Sequence, residues 1–231
     1  MEASEKVQNL SILRPKVIVE SNPIEIQLYR DFFKKVFDLG LAVVLLPFVV
    51  PILLFLMLIV KLDSKGPAIF KSERIGKKGK RFTCLKLRTM CLNANKKLEA
   101  ILNTNEELKN EYEKYHKLKN DPRITRVGKF LRSFSLDELP QIFNVLRGEM
   151  SFVGPRPAVE EEIPKYGVMF KEYKSMVPGI TGMWQVNGRN NTSFDERVRL
   201  DVAYQKNLNF LFDLKILFKT LPVALKRDGA Y

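Results

Sequence analysis

LGLAVVLLPFVVPILLFLMLIV, residues 39–60, carries no charged or strongly polar side chain, and its reading decides the fold. Twenty-two helical residues cover about 33 Å at roughly 1.5 Å each, enough for the hydrocarbon core of a bilayer. A soluble core helix rarely needs so uniform a sequence, so insertion into a membrane is expected. Two features argue against a simple crossing. Basic residues flank both ends: Arg30, Lys34 and Lys35 before the run, and Lys61, Lys65, Lys71, Arg74, Lys77, Lys78, Lys80 and Arg81 after it. Lys and Arg normally stay on the cytoplasmic side, so a straight span would strand one cluster. Pro47 and Pro51 also stand four apart near the centre. Pro51 has no N–H to give the carbonyl of Pro47, and each ring crowds the turn before it. A bend there would let the segment enter and leave one leaflet. A kinked helix that still spans is the competing reading.

The rest of the chain suits one domain. Its 231 residues are 45% hydrophobic, which excludes a disordered polypeptide. A net charge of +13 predicts acidic partners: nucleic acid, anionic lipid or phosphorylated substrates. Cys84, Cys91 and the lone His116 supply neither a disulfide framework nor a zinc ligand set. MEASEKVQNL mixes charges at the N-terminus and lacks the pattern of a signal peptide, so residues 1–28 read as a mobile accessory arm. The expected division is this arm, a membrane helix over 29–60 in re-entrant or spanning form, and a domain over 61–231. The fold class is α+β, mainly helical, with a small β-hairpin and amphipathic interface helices.

Within the domain, AIFKSERIGKKGKRFTCLKLRTM reads as two strands around a Gly76–Gly79 turn. Residues 93–119, rich in Lys and Glu, read as solvated helix. After Asp121-Pro122, the residues Arg126, Lys129 and Arg132 recur every third position, opposite Ile124, Val127, Leu131 and Phe134. That spacing predicts a helix with one buried and one cationic face. The C-terminal NLNFLFDLKILFKTLPVALKR is amphipathic and fits either the core or the membrane interface.

Asp137 and Glu138 are adjacent in SFSLDELPQ. Ser135 and Glu138 match an S-x-x-E capping box, and acids favour a helix start, so a structural role suffices for this pair. The surroundings favour chemistry. Arg132 lies just upstream, and GPRP fixes Arg156 between two prolines, a setting suited to bidentate phosphate recognition. In a basic protein this pattern suggests phosphoryl transfer. One carboxylate can attack phosphorus, and the other can hold a Mg²⁺ that bridges phosphate oxygens.

Four blocks, GPAIFKSERIGKKGKRFTCLKLRTM, DPRITRVGKFLRSFSLDELPQIFNVLRGEMSFVGPRP, VPGITGMWQVNGRN and DLKILFKTL, together resemble the bacterial sugar transferases, the monotopic phosphoglycosyl transferases. The resemblance covers roughly residues 30–225. It implies transfer of a sugar 1-phosphate from a UDP-sugar to undecaprenyl phosphate, with release of UMP. Asp137 would be the nucleophile that forms a covalent phosphosugar intermediate, and Glu138 its partner at a Mg²⁺ site. Arg132, Arg156, Lys86 (in K-x-R-T-M) and Arg189 (in NGRN) match positions that handle phosphates or nucleotide-sugar. For Arg88, Gln141, Asn144 and Gln185, packing and contact are both open. The family's bent membrane helix supports the re-entrant reading. Members often place Ser before the breaking proline, whereas Leu46 and Val50 stand here, so which of Pro47 and Pro51 sets the bend is open.

The resemblance points to galactose or glucose, with an N-acetylated sugar as the alternative. It also implies the bacterial inner membrane, with the catalytic domain on its cytoplasmic face. Capsule, exopolysaccharide and O-antigen synthesis are equally compatible, and a homo-oligomer is open. A glycosyltransferase that moves only the sugar would release UDP instead. A non-enzymatic, membrane-anchored basic module that binds nucleic acid or anionic lipid is disfavoured because the arginines cluster around carboxylates, which repel nucleic acid.

Overall fold

The computed structural model describes residues 23–115, 118–188 and 192–226. The predicted arm falls mostly outside these residues, as do His116, Arg189 and Arg227. The described part of the arm, α1 (Pro23–Leu28), is helical and leads through a π-turn at Tyr29–Phe33 into α2 (Lys34–Asp63). Helix α2 continues through both prolines, so Pro47 and Pro51 remove backbone donors without ending it.

One face of α2 is buried along its whole length, and the spacing is helical: Lys34, Asp38, Ala42, Leu53, Leu56 and Val60. Ala42, with Leu45, Leu46 and Val49, packs against Cys84, Ile142 and Val145. Leu53, Leu56 and Val60 pack against Leu87 and Leu131. The other face shows Val36, Val43, Val44, Phe48, Ile52, Phe55 and Leu58 to the exterior. Both prolines lie on this exposed side.

The predicted hairpin is present. Strands β1 (Ile69–Ile75) and β2 (Arg81–Leu87) pair antiparallel, with Ile69 opposite Leu87 and Ile75 opposite Arg81. The turn places Lys78 and Gly79 at positive φ. The solvated region forms α3 (Ala94–Thr104) and α4 (Glu106–Tyr115), two largely exposed helices that part at Asn105. Helix α5 (Arg126–Ser133) starts at Thr125, whose hydroxyl accepts the Gly128 N–H at 2.9 Å. Its buried face carries Leu131, as the spacing predicted. A 3₁₀ turn (Leu136–Gln141) leads into α6 (Ile142–Leu146).

Two short strands, β3 (Ser151–Val153) and β4 (Gly179–Thr181), pair in parallel. Between them lie α7 (Ile163–Tyr166) and α8 (Phe170–Lys174); α9 (Met183–Val186), α10 (Phe194–Lys206) and α11 (Phe210–Lys226) follow. The architecture is α+β and mainly helical.

A buried polar cluster joins the first helices to the last. Asp213, fully buried on α11, pairs with Lys34 on α2 and accepts hydrogen bonds from Tyr29 (2.8 Å) and Tyr204 (2.6 Å). One turn along α2, Asp38 accepts the backbone N–H of Phe152 at 3.1 Å. With both oxygens of Asp213 engaged, the charge pair is satisfied in a way that offsets its desolvation.

Candidate active site

A cleft of about 1100 Å³ opens beside α2 and collects side chains from every block that the sequence singled out. Leu45 and Val49 of α2 line its apolar end; Lys86, Arg132, Asp137, Glu138 and Arg156 line its polar part.

The carboxylate pair sits on the 3₁₀ turn, not on a capped α-helix. Ser135 adopts a left-handed conformation (φ 57°) and makes no side-chain capping bond. Glu138 is instead engaged by Lys86 of β2, whose Nζ donates to Oε1 at 2.6 Å. The capping-box reading is therefore not realised. The left-handed Ser135, uncommon for a residue with a Cβ, turns the chain so that both acids reach the cleft.

Burial, reinforced by the Glu138 charge, raises the Asp137 pKa to about 6, with Lys86 and Arg132 opposing the rise. Burial works against the charge on Lys86, yet the two carboxylates raise its pKa overall. Lys86 is thus a cation held by Glu138 and near enough to Asp137 to oppose the rise in its pKa.

Arg132 reaches the cleft from the last turn of α5, where its Nε donates to Thr89 Oγ1 at 2.9 Å. The approach depends on Gly128: a Cβ there would lie 2.0 Å from the Thr89 carbonyl oxygen. Arg126 and Lys129, expected on the same cationic face, are exposed and do not line the cleft.

The loop bearing Arg156 is braced on both sides. The Gly154 N–H bonds to Thr181 O (2.9 Å), the Gly179 N–H to Pro155 O (2.8 Å), and the Ile75 N–H to Ala158 O (2.9 Å). Burial lowers the pKa of the Arg156 guanidinium, and nearby Arg197 adds to the effect.

Three residues that sequence reasoning missed complete this side. Glu162 accepts from Arg156 (3.3 Å) and from Arg197 (3.1 Å), and both guanidinium groups lie over the Trp184 ring, at 5.8 and 5.3 Å. Burial opposes the Glu162 charge, but the two arginines hold its pKa below the usual range. Behind them Asp201, on α10, accepts from Tyr166 OH at 2.9 Å, and burial pushes its pKa to about 7. Arg197 and Glu162 lie in stretches that no motif singled out; the single Trp184, within VPGITGMWQVNGRN, was the one available signal.

The positions left open now divide. Arg88 donates to Val60 O and Ser64 O (3.2 and 2.6 Å), which closes the C-terminal end of α2. Asn144 bridges α6 to β2 through Leu85 N–H and Thr83 O (3.0 and 2.7 Å). Gln141 is buried. Asn144 is thus a structural bridge, whereas Arg88 also lines the cleft and keeps a buried Nε and Nη1 with no hydrogen-bond partner among the described residues. Gln185 lines the cleft, and its buried Oε1 has no hydrogen-bond partner among the described residues.

Fold and cleft together define a class: an α+β domain with a cation-braced carboxylate pair beside a long apolar helix. Its family follows from comparison with known proteins. The chain belongs to the bacterial sugar transferase family, which it matches over residues 29–227. It is 48% identical over 200 residues to a UDP-galactose-lipid carrier transferase of Erwinia amylovora. It is 47% identical over 200 residues to an undecaprenyl-phosphate galactose phosphotransferase of Salmonella typhimurium. Each match takes in 87% of this chain but only 42% of the relative, so the chain spans less than half the length of these proteins. An exopolysaccharide production protein of Rhizobium meliloti is 43% identical over 198 residues, 86% of this chain and 88% of that protein.

Proposed function

We propose that the chain is a monotopic phosphoglycosyl transferase. It moves galactose or glucose 1-phosphate from a UDP-sugar to undecaprenyl phosphate and releases UMP, at the cytoplasmic face of the bacterial inner membrane. The names of the Erwinia and Salmonella relatives support the reaction and the sugar class. The observation that carries the reading is the cleft: Asp137, Glu138, Lys86, Arg132 and Arg156 meet in one space that Leu45 and Val49 border with hydrocarbon.

That geometry supports the following chemistry. An ionised Asp137 oxygen attacks the phosphorus that carries the sugar. A P–O–carboxyl bond forms as the P–O bond to the UMP phosphate breaks, and that electron pair leaves on UMP. The lipid phosphate oxygen then attacks the same phosphorus and returns Asp137 as carboxylate. Two steps mean that two large anions never share the cleft. Lys86 holds Glu138 in place and lowers the cost of negative charge around Asp137. Arg132 and Arg156, each fixed by its own bond, receive phosphate oxygens. The orphaned Gln185 Oε1 is an acceptor for an N–H or hydroxyl of the nucleotide-sugar.

Asp137 and Glu138 suit Mg²⁺, which binds through one or two carboxylates plus substrate phosphates and keeps several waters. Among the described residues no group of three or more Asp, Glu, His or Cys forms a closed cage, and a substrate-completed site needs none. Mg²⁺ bound there would neutralise charge on the diphosphate.

The placement of α2 supports the monotopic form. The middle of its apolar run packs, through Leu45, Leu46 and Val49, on Cys84, Ile142 and Val145, and the adjoining strand and turn carry the charged Lys86 and Glu138. A helix traversing hydrocarbon would be surrounded by lipid or apolar protein at that depth.

The test is a panel of UDP-sugars with purified protein, undecaprenyl phosphate and Mg²⁺, separated by chromatography. UMP is expected from UDP-galactose or UDP-glucose, and Asp137→Asn abolishes it. Release of UDP, or near-normal turnover by the variant, contradicts the proposal.

A further inference from the structure

A second cavity, of about 440 Å³, shares no residue with the catalytic cleft. Its polar lining comes from the first turns of the apolar helix, the hairpin turn and the end of α6: Arg30, Lys34, Lys35, Lys77 and Arg147, with Asp31 and Asp38. Its remaining wall is apolar and includes Leu39, Leu146 and Met150.

The cations are not equally available. Asp31 engages both Arg30 and Lys77, each at 3.0 Å, and Lys34 is bound to buried Asp213. Lys35 and Arg147 are exposed and form no ion pair among the described residues. They approach one space from different elements, and the arrangement leaves positive charge uncompensated there. Leu39, 45% exposed, belongs both to the cavity wall and to the outward apolar face of α2, which Phe32, Phe33 and Val36 continue. A ligand that fits must therefore present an anionic group to Lys35 and Arg147 and hydrocarbon to Leu39.

We propose that this cavity binds the phosphate headgroup of an anionic glycerophospholipid. Its acyl chains run along the exposed face of α2, so the bound lipid pins the N-terminal end of that helix at the interface. Phosphate contacts of this kind depend on the charge of the lipid, whereas burial of the apolar face does not. The proposal goes beyond the transferase reading and rests on it only for the presence of a membrane.

Thermal denaturation of the full chain in detergent micelles tests it, with phosphatidylglycerol or phosphatidylcholine added. Phosphatidylglycerol is expected to raise Tm and phosphatidylcholine to leave it unchanged. A Lys35→Gln/Arg147→Gln variant should lose most of that rise and still release UMP at the parental rate in phosphatidylcholine. A control, Lys109→Gln/Lys119→Gln, removes two exposed cations elsewhere and should keep the rise. Soluble glycerol 3-phosphate at equal concentration should not reproduce it. Equal shifts with both lipids, equal loss in both variants, or a full shift from glycerol phosphate would each overturn the proposal. Partition into phosphatidylcholine vesicles separates the two ideas. If the chain binds them but shows no anionic preference, only the headgroup site fails; if it binds no vesicle at all, the membrane reading fails.

Discussion

Asp137 and Glu138 have the same charge and adjacent positions but different surroundings, which fit the distinct roles proposed for them. Glu138 is held by Lys86 at 2.6 Å, while burial raises Asp137 to a pKa of about 6. Attack on phosphorus needs the ionised form, so kcat/KM for the UDP-sugar should be level near neutral pH. Below pH 6 it should fall about tenfold per unit as Asp137 takes up a proton. A profile that stays flat down to pH 4.5 would place the nucleophile elsewhere. The acid pair, Arg132 and Arg156 were legible in the sequence because they crowd into short motifs. The contact that distinguishes the two acids was not, since it depends on Lys86, 52 residues before Glu138. Nor was the Glu162 brace, which joins Arg156, six residues away, to Arg197, 35 residues away.

Helix α2 was legible from its apolar run, and its docking was not. A uniform apolar sequence carries almost no signal of which face meets protein. The buried stripe became visible only once Ala42, Leu53, Leu56 and Val60 had partners. The prolines face outward, where loss of backbone hydrogen bonds opens the exposed side and lets a helix curve around what it packs on. The polar fastening at its start is the vulnerable element. Asp213→Ala would leave Lys34 buried without its counter-charge, at a cost of about 3–5 kcal/mol. Replacing both, as Lys34→Met/Asp213→Leu, should cost much less. Thermal denaturation in detergent reads the difference; equal losses in the two variants would mean that the ion pair is not the fastening.

At the scale of the whole molecule, the chain combines an apolar surface with a polar cleft in one body. The outward face of α2 and exposed Phe210, Leu211, Phe218 and Leu221 on α11 provide the apolar surface. A UDP-sugar cannot enter hydrocarbon and a polyprenyl tail cannot leave it, so the proposed reaction requires the cleft to stand at the boundary between them. Single cysteines introduced at Arg30 and Lys65, in a background without Cys84 and Cys91, should both react with a cytoplasmic label and resist a periplasmic one. Labelling from opposite sides would mean that α2 spans. The general architecture followed from periodicity and turn residues. The parallel β3–β4 pair and its tight glycines did not, because three-residue strands carry too little pattern.

Intact-protein mass measurement tests Asp137 as the proposed nucleophile directly. Mixed with UDP-galactose and Mg²⁺ but no lipid acceptor, the protein should gain the mass of one hexose phosphate. UMP should appear in equal amount, and fragmentation should place the adduct on Asp137. Undecaprenyl phosphate should then discharge it, and Asp137→Asn should never acquire it. UMP release that requires both substrates at once, with no adduct on the protein, would contradict the covalent mechanism.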